Sequence, residues 1–223
     1  MSNALVGELI MSGYAFERDR RRPIIFIDFD GTICHDRYWR TLPSNKQIKL
    51  QTYLFQENRN IVFEWMRGLH TAEEINSLVA DALDIPYSEL WEIFVADCQS
   101  MHVSPATLAR IAHLRLIANT ILVTGNMDSF SRFTVPALRL DRHFDAISNS
   151  YNEGRLKTDD GGALFMQYIE QFGASIEDCV VIDDSAEVCT TFARLGGMAL
   201  HVTAGRTTDA ILDGLLLSLA QAR

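Results

Sequence analysis

Residues 24–33 read Ile-Ile-Phe-Ile-Asp-Phe-Asp-Gly-Thr-Ile, and this stretch decides how the chain is read. A run of Ile and Phe has the composition of a buried strand, yet it ends in two aspartates one residue apart, followed at once by Gly31 and Thr32. Alternate residues of an extended chain share a side, so Asp28 and Asp30 face the same way. Two carboxylates that close resist ionising together unless a cation or a donor stands between them. The stretch is therefore either a strand entering an ordinary Asp-Gly turn or a site.

Further apolar runs extend the pattern: 119–124 (NTILVT), 144–148 (FDAIS), 178–183 (DCVVID) and 198–203 (MALHVT). None alternates cleanly, as expected of strands covered on both faces. Helical spacing follows most of them. Leu164, Phe165, Tyr168, Ile169 and Phe172 lie on one face before Gly173, a similar pattern covers 186–195 before Gly196, and a third runs from Thr207 to Ala220. Strands alternating with helices predict an α/β fold: a parallel, three-layer, Rossmann-like sheet. One interval breaks the rhythm, because about 85 residues separate the first two strands where a parallel crossover needs a dozen or so. That interval reads as helical. Thr71 and Glu74 have capping-box spacing, Ile75, Leu78, Val79, Ala82 and Leu83 form one apolar face, and Leu90, Trp91, Phe94, Val95 and Cys98 form another. Ser104-Pro105 reads as an N-cap with proline at the first helical position. The expected organisation is a core of residues 1–33 and 104–223 with an inserted helical domain at 34–103.

Bulk properties narrow the function classes. The chain has 223 residues, 48% apolar and 22% charged, with a formal net charge of −9, ordinary for a globular protein. A balance that acidic argues against a nucleic-acid surface, which needs clustered Lys and Arg. Arg18 to Arg22 form a basic run but precede a strand, and read as a solvated lead-in. No apolar run approaches the length of a membrane span, and the N-terminal charge follows its apolar part, the wrong order for a signal peptide. Cys34, Cys98, Cys179 and Cys189 show no metal-type spacing, so reduced buried thiols and a cytoplasmic location are expected. Oligomeric state is not legible.

In an open parallel sheet, ligands bind beyond the carboxyl ends of the strands. There the chain places Asp28 and Asp30, then Thr124-Gly125-Asn126, then Asp183 and Asp184, while Lys157 precedes the helix leading to the fourth strand. Each segment alone is ordinary: a turn, a strand end, a surface lysine. Together they bring four carboxylates, a hydroxyl and an ammonium to one edge. Oxygen ligands of this kind select a hard cation such as Mg²⁺, and with Lys157 they suit a phosphate group. Thr124 and the backbone N–H groups of Gly125 and Asn126 can donate to that phosphate. One carboxylate can attack phosphorus, and a second can protonate the leaving oxygen and then activate water.

The set DFDGT, LVTGN, Lys157 and VVIDDS, in this order with a helical insertion after the first member, resembles the four motifs of the haloacid dehalogenase superfamily. Its form is similar to that of the branch holding phosphoglycolate phosphatase, beta-phosphoglucomutase and nucleotidases. The resemblance implies a Mg²⁺-dependent phosphatase acting on a small phosphorylated metabolite, a nucleotide or phosphosugar among the options, through an aspartyl phosphate. Asp28 would be the nucleophile and Asp30 the general acid/base. Thr124 would bind the phosphoryl group and Lys157 would balance its charge. Asp28, the carbonyl of Asp30, and Asp183 or Asp184, with Asp184 preferred, would hold Mg²⁺. Two departures stand out: Thr158 replaces the usual proline after the lysine, and Val188 replaces a further acid, with Glu187 beside it. A phosphosugar mutase and a non-catalytic ligand-binding protein on the same fold are the rivals, together with a haloacid dehalogenase, which Asp30 counts against. His35, Arg37, Lys46 and Arg67 are candidate substrate contacts, and Trp39, Trp65 and Trp91 are expected in the core of the inserted helices.

Overall fold

The computed structural model describes residues 22–221. Five strands, β1 (Ile24–Ile27), β2 (Asn119–Thr124), β3 (Ala146–Asn149), β4 (Val180–Asp183) and β5 (Met198–His201), form one parallel sheet in the order β3-β2-β1-β4-β5. The α-helices among the described residues are α1 (Ser44–Leu50), α2 (Arg59–Met66), α3 (Ala72–Leu83), α4 (Tyr87–Gln99), α5 (Pro105–Arg115), α6 (Val135–Leu138), α7 (Ser150–Glu153), α8 (Ala163–Gln171), α9 (Ala186–Leu195) and α10 (Thr208–Gln221). None is long and apolar enough to cross a membrane.

β1 is central and wholly buried, which explains its lack of polar alternation. Its residues divide by parity between two cores. Ile25, Ile27 and Phe29 pack with Ile111 and Leu114 of α5 and Ile211, Leu212 and Leu215 of α10. Ile24 and Phe26 pack with Leu164, Phe165 and Ile169 of α8 and Val188 and Phe192 of α9. The sheet is thus covered on both faces. Because β1 pairs with β2 on one side and β4 on the other, Ile27 stands opposite both Leu122 and Ile182. The residues just beyond those positions meet at the point where the strand order reverses, the crevice such sheets offer to ligands.

The interval between β1 and α5 is helical as expected. α1 continues into a π-helical turn at Gln51–Glu57, and α1–α4 enclose a third apolar cluster around Trp39, Trp65, Leu83, Leu90 and Phe94. α3 begins with the expected capping box of Thr71 and Glu74 and stops at Asp84 in a left-handed conformation. Trp39 and Trp65 are core residues, and Trp91 packs beside them, against Phe94 and Phe133. Ser104 does hold the position before Pro105, but its side chain makes no capping hydrogen bond. Arg22 is more than a solvated lead-in: it donates to the carbonyls of Arg115 and Ala118, tying the start of β1 to the end of α5. Arg18 to Arg21 lie outside the described residues. All four cysteines are buried and unpaired.

Candidate active site

A cavity of about 230 Å³ opens at the carboxyl end of β1, lined by Asp28, Asp30, Gly125, Lys157, Asp183 and Asp184 among others. Each strand delivers its part by ending there. β1 runs straight into Asp28, whose backbone N–H still donates to Ile182 (3.0 Å). The chain then turns sharply, with Gly31 at φ 78° and the N–H groups of Ile33 and Cys34 donating back to Phe29. Glycine is needed at this turn twice over. The left-handed backbone favours it, and a Cβ there would lie 2.1 Å from Asp184 Oδ2.

Lys157 reaches the cluster from the loop before α8. Its Nζ donates to Asp28 Oδ1 (2.7 Å) and to Asp183 Oδ2 (2.6 Å), while Asp183 Oδ1 accepts from the N–H of Ser185 (2.8 Å). Both Asp183 oxygens are therefore engaged. Asp184 is the exposed member of the pair, where Asp183 is fully buried. Carboxylate oxygens of Asp28, Asp183 and Asp184 lie within 4.8 Å of one another. That all-oxygen, acid-rich donor set fits a small hard cation, with room for water to complete its shell.

Burial pushes the Asp28 carboxyl up to about 8, with the neighbouring charge of Asp183 acting in the same direction and Lys157 opposing it. Burial costs the Lys157 ammonium as well, but the two carboxylates beside it outweigh that cost and hold it protonated far above neutrality. Asp30 is raised to about 6, chiefly by burial, with Arg37 pulling it down. Asp184 is raised by partial burial and by Asp183. Both carboxyls at the end of β1 thus resist ionising without a further cation beside them, Asp28 the more strongly.

Asn126 departs from expectation. Its backbone N–H, expected to face a phosphate, donates instead to Ser150 Oγ (2.9 Å), and its side chain turns to Asp30, Nδ2 to Oδ2 at 2.6 Å. Tyr38 in turn donates to Asn126 Oδ1 (2.5 Å). Thr124 is fully buried at the end of β2, and Gly125 rather than Thr124 forms the cavity wall. Thr158, Glu187 and Val188, the positions that depart from the family pattern, all line the cavity.

The helical segment contributes Met66 to the wall, its methyl group 2.9 Å from where a Cβ on Gly125 would stand. The other candidates there have structural partners. Arg67 makes a two-pronged pair with Asp159 (2.9 and 2.8 Å), and Lys46 donates to the carbonyls of Leu83 and Asp84 at the end of α3. Arg37 stands 3.7 Å from Asp30, and His35 is exposed beside it. Sequence reasoning missed Tyr38, Met66, the Asn126 side chain and Asp128, which joins Trp65 and the start of α3 to the segment after β2. No periodicity or spacing marks Tyr38 in CHDRYWR or Met66 in EWMRG, so only proximity could have singled these out.

The family description haloacid dehalogenase-like hydrolase matches residues 23–196. No curated protein sequence matches the chain. Among solved structures, a HAD family enzyme from Bacteroides thetaiotaomicron superposes with a TM-score of 0.68 at 18% identity, covering 82% of this chain and 95% of that one. The same enzyme in complex with magnesium and inorganic phosphate gives a TM-score of 0.63 at 15% identity, covering 82% and 96%. L-2-haloacid dehalogenase from Xanthobacter autotrophicus gives 0.59 at 13%, covering 88% and 83%.

Proposed function

Because this chain belongs to the haloacid dehalogenase-like hydrolases, we propose that its acidic cavity is the active site of a Mg²⁺-dependent phosphatase for small phosphomonoesters. The observation that carries this reading is the cluster itself: Asp28 and Asp183 bridged by Lys157, with Asp184 and Asp30 beside them in one cavity. The magnesium and phosphate complex of the Bacteroides enzyme supports it.

In this reading Asp28 attacks phosphorus and becomes the aspartyl phosphate. Lys157 holds the nucleophile in place and offsets charge on the phosphoryl oxygens. Asp30 protonates the leaving oxygen and afterwards takes a proton from water. Asp28, Asp184 and the carbonyl of Asp30 would hold Mg²⁺, with Asp183 steering Lys157; the bound ion would keep Asp28 ionised and polarise the phosphoryl group. Residues 34–103 act as a cap over the site, with Met66 as its contact. The cavity falls below the usual range for organic ligands, roughly 300–1,000 Å³. A seated phosphate would take up part of that volume, so a small leaving group is expected.

The test is phosphate release from a panel of nucleotides, phosphosugars and short alkyl phosphates, with Mg²⁺ and with EDTA, alongside Asp28→Asn. Release that requires both Mg²⁺ and Asp28 is expected. A 2-chloropropionate arm read by chloride release opposes the dehalogenase reading, and a retained phosphorylated product would identify a mutase.

A further inference from the structure

We propose that Tyr38 and Asn126 are positioning residues that fix which oxygen of Asp30 delivers the proton to the leaving group, and that this oxygen is Oδ1. The proposal rests on the phosphatase reading above and goes past it to the relay of side-chain contacts that joins Tyr38 of the helical segment, through Asn126, to Asp30. Asn126 Oδ1 accepts from the backbone N–H of Met127 (3.0 Å), a group that can only donate. That contact decides the orientation of the amide, so the opposite end, which faces Asp30, is the NH₂. An amide NH₂ can only donate. Asp30 Oδ2, at 2.6 Å from Asn126 Nδ2, accepts from it, and in a protonated carboxyl the carbonyl oxygen is the stronger acceptor. When Asp30 is the acid, its proton sits on Oδ1. Among the described residues the cation beside Oδ1 is Arg37, its Nη1 at 3.7 Å, too far for a hydrogen bond, which leaves that O–H for the leaving group.

Tyr38 locks the relay from the other side. Its hydroxyl gives Asn126 Oδ1 a second hydrogen bond. Its ring is wedged in the helical segment's aromatic cluster, 5.5 Å from Phe94 and 6.3 Å from Trp39 between centroids. Trp39 is buried, holds a left-handed backbone (φ 56°) and donates to Asn76 (3.0 Å), so the residue next to Tyr38 is fixed as well. The helical segment thus reaches the acid/base through Tyr38, at the place where the chain enters it.

An Asp28 oxygen bonds to phosphorus, the bond from phosphorus to the leaving oxygen breaks with its electron pair going to that oxygen, and the Asp30 Oδ1 proton follows. The products are the aspartyl phosphate, the free alcohol and the Asp30 carboxylate. A leaving group that needs no proton should not sense the relay. The experiment compares kcat/KM, which covers only the steps through phosphorylation of Asp28, for ethyl phosphate and 2,4-dinitrophenyl phosphate at one pH with saturating Mg²⁺. Asp30→Asn serves as the benchmark. For ethyl phosphate, Tyr38→Phe should lose about tenfold and Asn126→Ala about a hundredfold, with dinitrophenyl phosphate changed less than about threefold. Thermal unfolding of each variant checks the fold, and Tyr38→Phe keeps its ring in the cluster. Equal losses on both substrates would show a merely structural role, and no loss on either would show an idle contact; both overturn the proposal. If the wild type releases phosphate from neither ester, or Asp28→Asn matches it, the phosphatase reading falls first and takes the relay with it. That failure is seen in proteins with Tyr38 and Asn126 intact.

Discussion

Asp28 and Asp128 have the same side-chain exposure, 5% each, yet they live in opposite circumstances. Asp128 stands where the helical segment meets the sheet. Its Oδ1 accepts from Trp65 Nε1 (2.8 Å), and its Oδ2 accepts from the N–H of Ala72 (3.2 Å) and from Arg132 (2.7 Å). Three donors from three elements satisfy one carboxylate. Asp28 has Lys157, which it shares with Asp183, and a Thr32 hydroxyl at a slack 3.4 Å. A buried charge with all its partners built in is structural. A buried charge left short of them has capacity for a ligand, and the raised values of Asp28 and Asp30 are the physical sign of that shortfall.

Removing the two charges should therefore break different properties. Asp28→Asn is expected to lower kcat/KM by about a thousandfold or more, because the amide cannot become the acyl phosphate. Its urea midpoint should hold or rise, since an under-compensated buried charge has gone. Asp128→Asn should do the reverse, costing about 2 kcal/mol in urea unfolding because an amide NH₂ now faces a buried donor and Arg132 keeps only its pair with Glu73. A large stability loss in Asp28→Asn would collapse the distinction.

Acidity sharpens the same contrast. A carboxyl whose folded value is raised binds its proton more tightly in the folded chain than in the unfolded one. Its contribution is fullest below the unfolded value near 4 and is lost as pH climbs to the folded value. Asp30 and Asp28, raised to about 6 and about 8, should make the chain in EDTA lose stability between about pH 4 and 8. Asp30→Asn should flatten the lower part of that slope and Asp28→Asn the upper. Mg²⁺ should raise the unfolding temperature more at pH 8 than at pH 5, where protons compete for the same oxygens. Equal stabilisation at both pH values would count against a metal site built on Asp28 and Asp184.

These contrasts also mark what the sequence could reveal. β1, its two acids, the parallel sheet and the helical interval were all legible, because strand burial and helix spacing are local patterns. That Asp28 and Asp183 share one edge was legible from the strand ends, and Lys157 joined them there through the resemblance, but the bridge it makes between the two carboxylates was not legible. Asn126 was placed at that edge, but its partner was misjudged: the sequence does not show that Ser150, arriving just after β3, captures its N–H and frees the side chain for Asp30. Tyr38, Met66 and Asp128 were silent for a similar reason. Each acts across the junction between the helical segment and the sheet, and no local periodicity records which side chains face one another there.

The mildest of the expected effects tests whether that junction is held by exposed charges or by packing. Arg67 and Asp159 form a two-pronged pair beside the cavity, with side chains 35% and 26% exposed. The Arg67 hydrogen bonds hold the Asp159 carboxyl below its usual range. Its contribution is therefore complete above about pH 4 and fades as pH falls further and Asp159 takes up a proton. Solvent screening keeps the pair small. A double-mutant cycle of Arg67→Ala and Asp159→Ala should give a coupling of about 0.5–1 kcal/mol, shrinking in high salt. A coupling near that of Asp128 would mean that surface charge clamps the helices over the site. The small value expected here assigns that work to the buried contacts of Trp65 with Asp128 and to the apolar cluster that Met127 shares with the helices. Met66, next to Arg67, would then stay over Gly125 even with the pair removed.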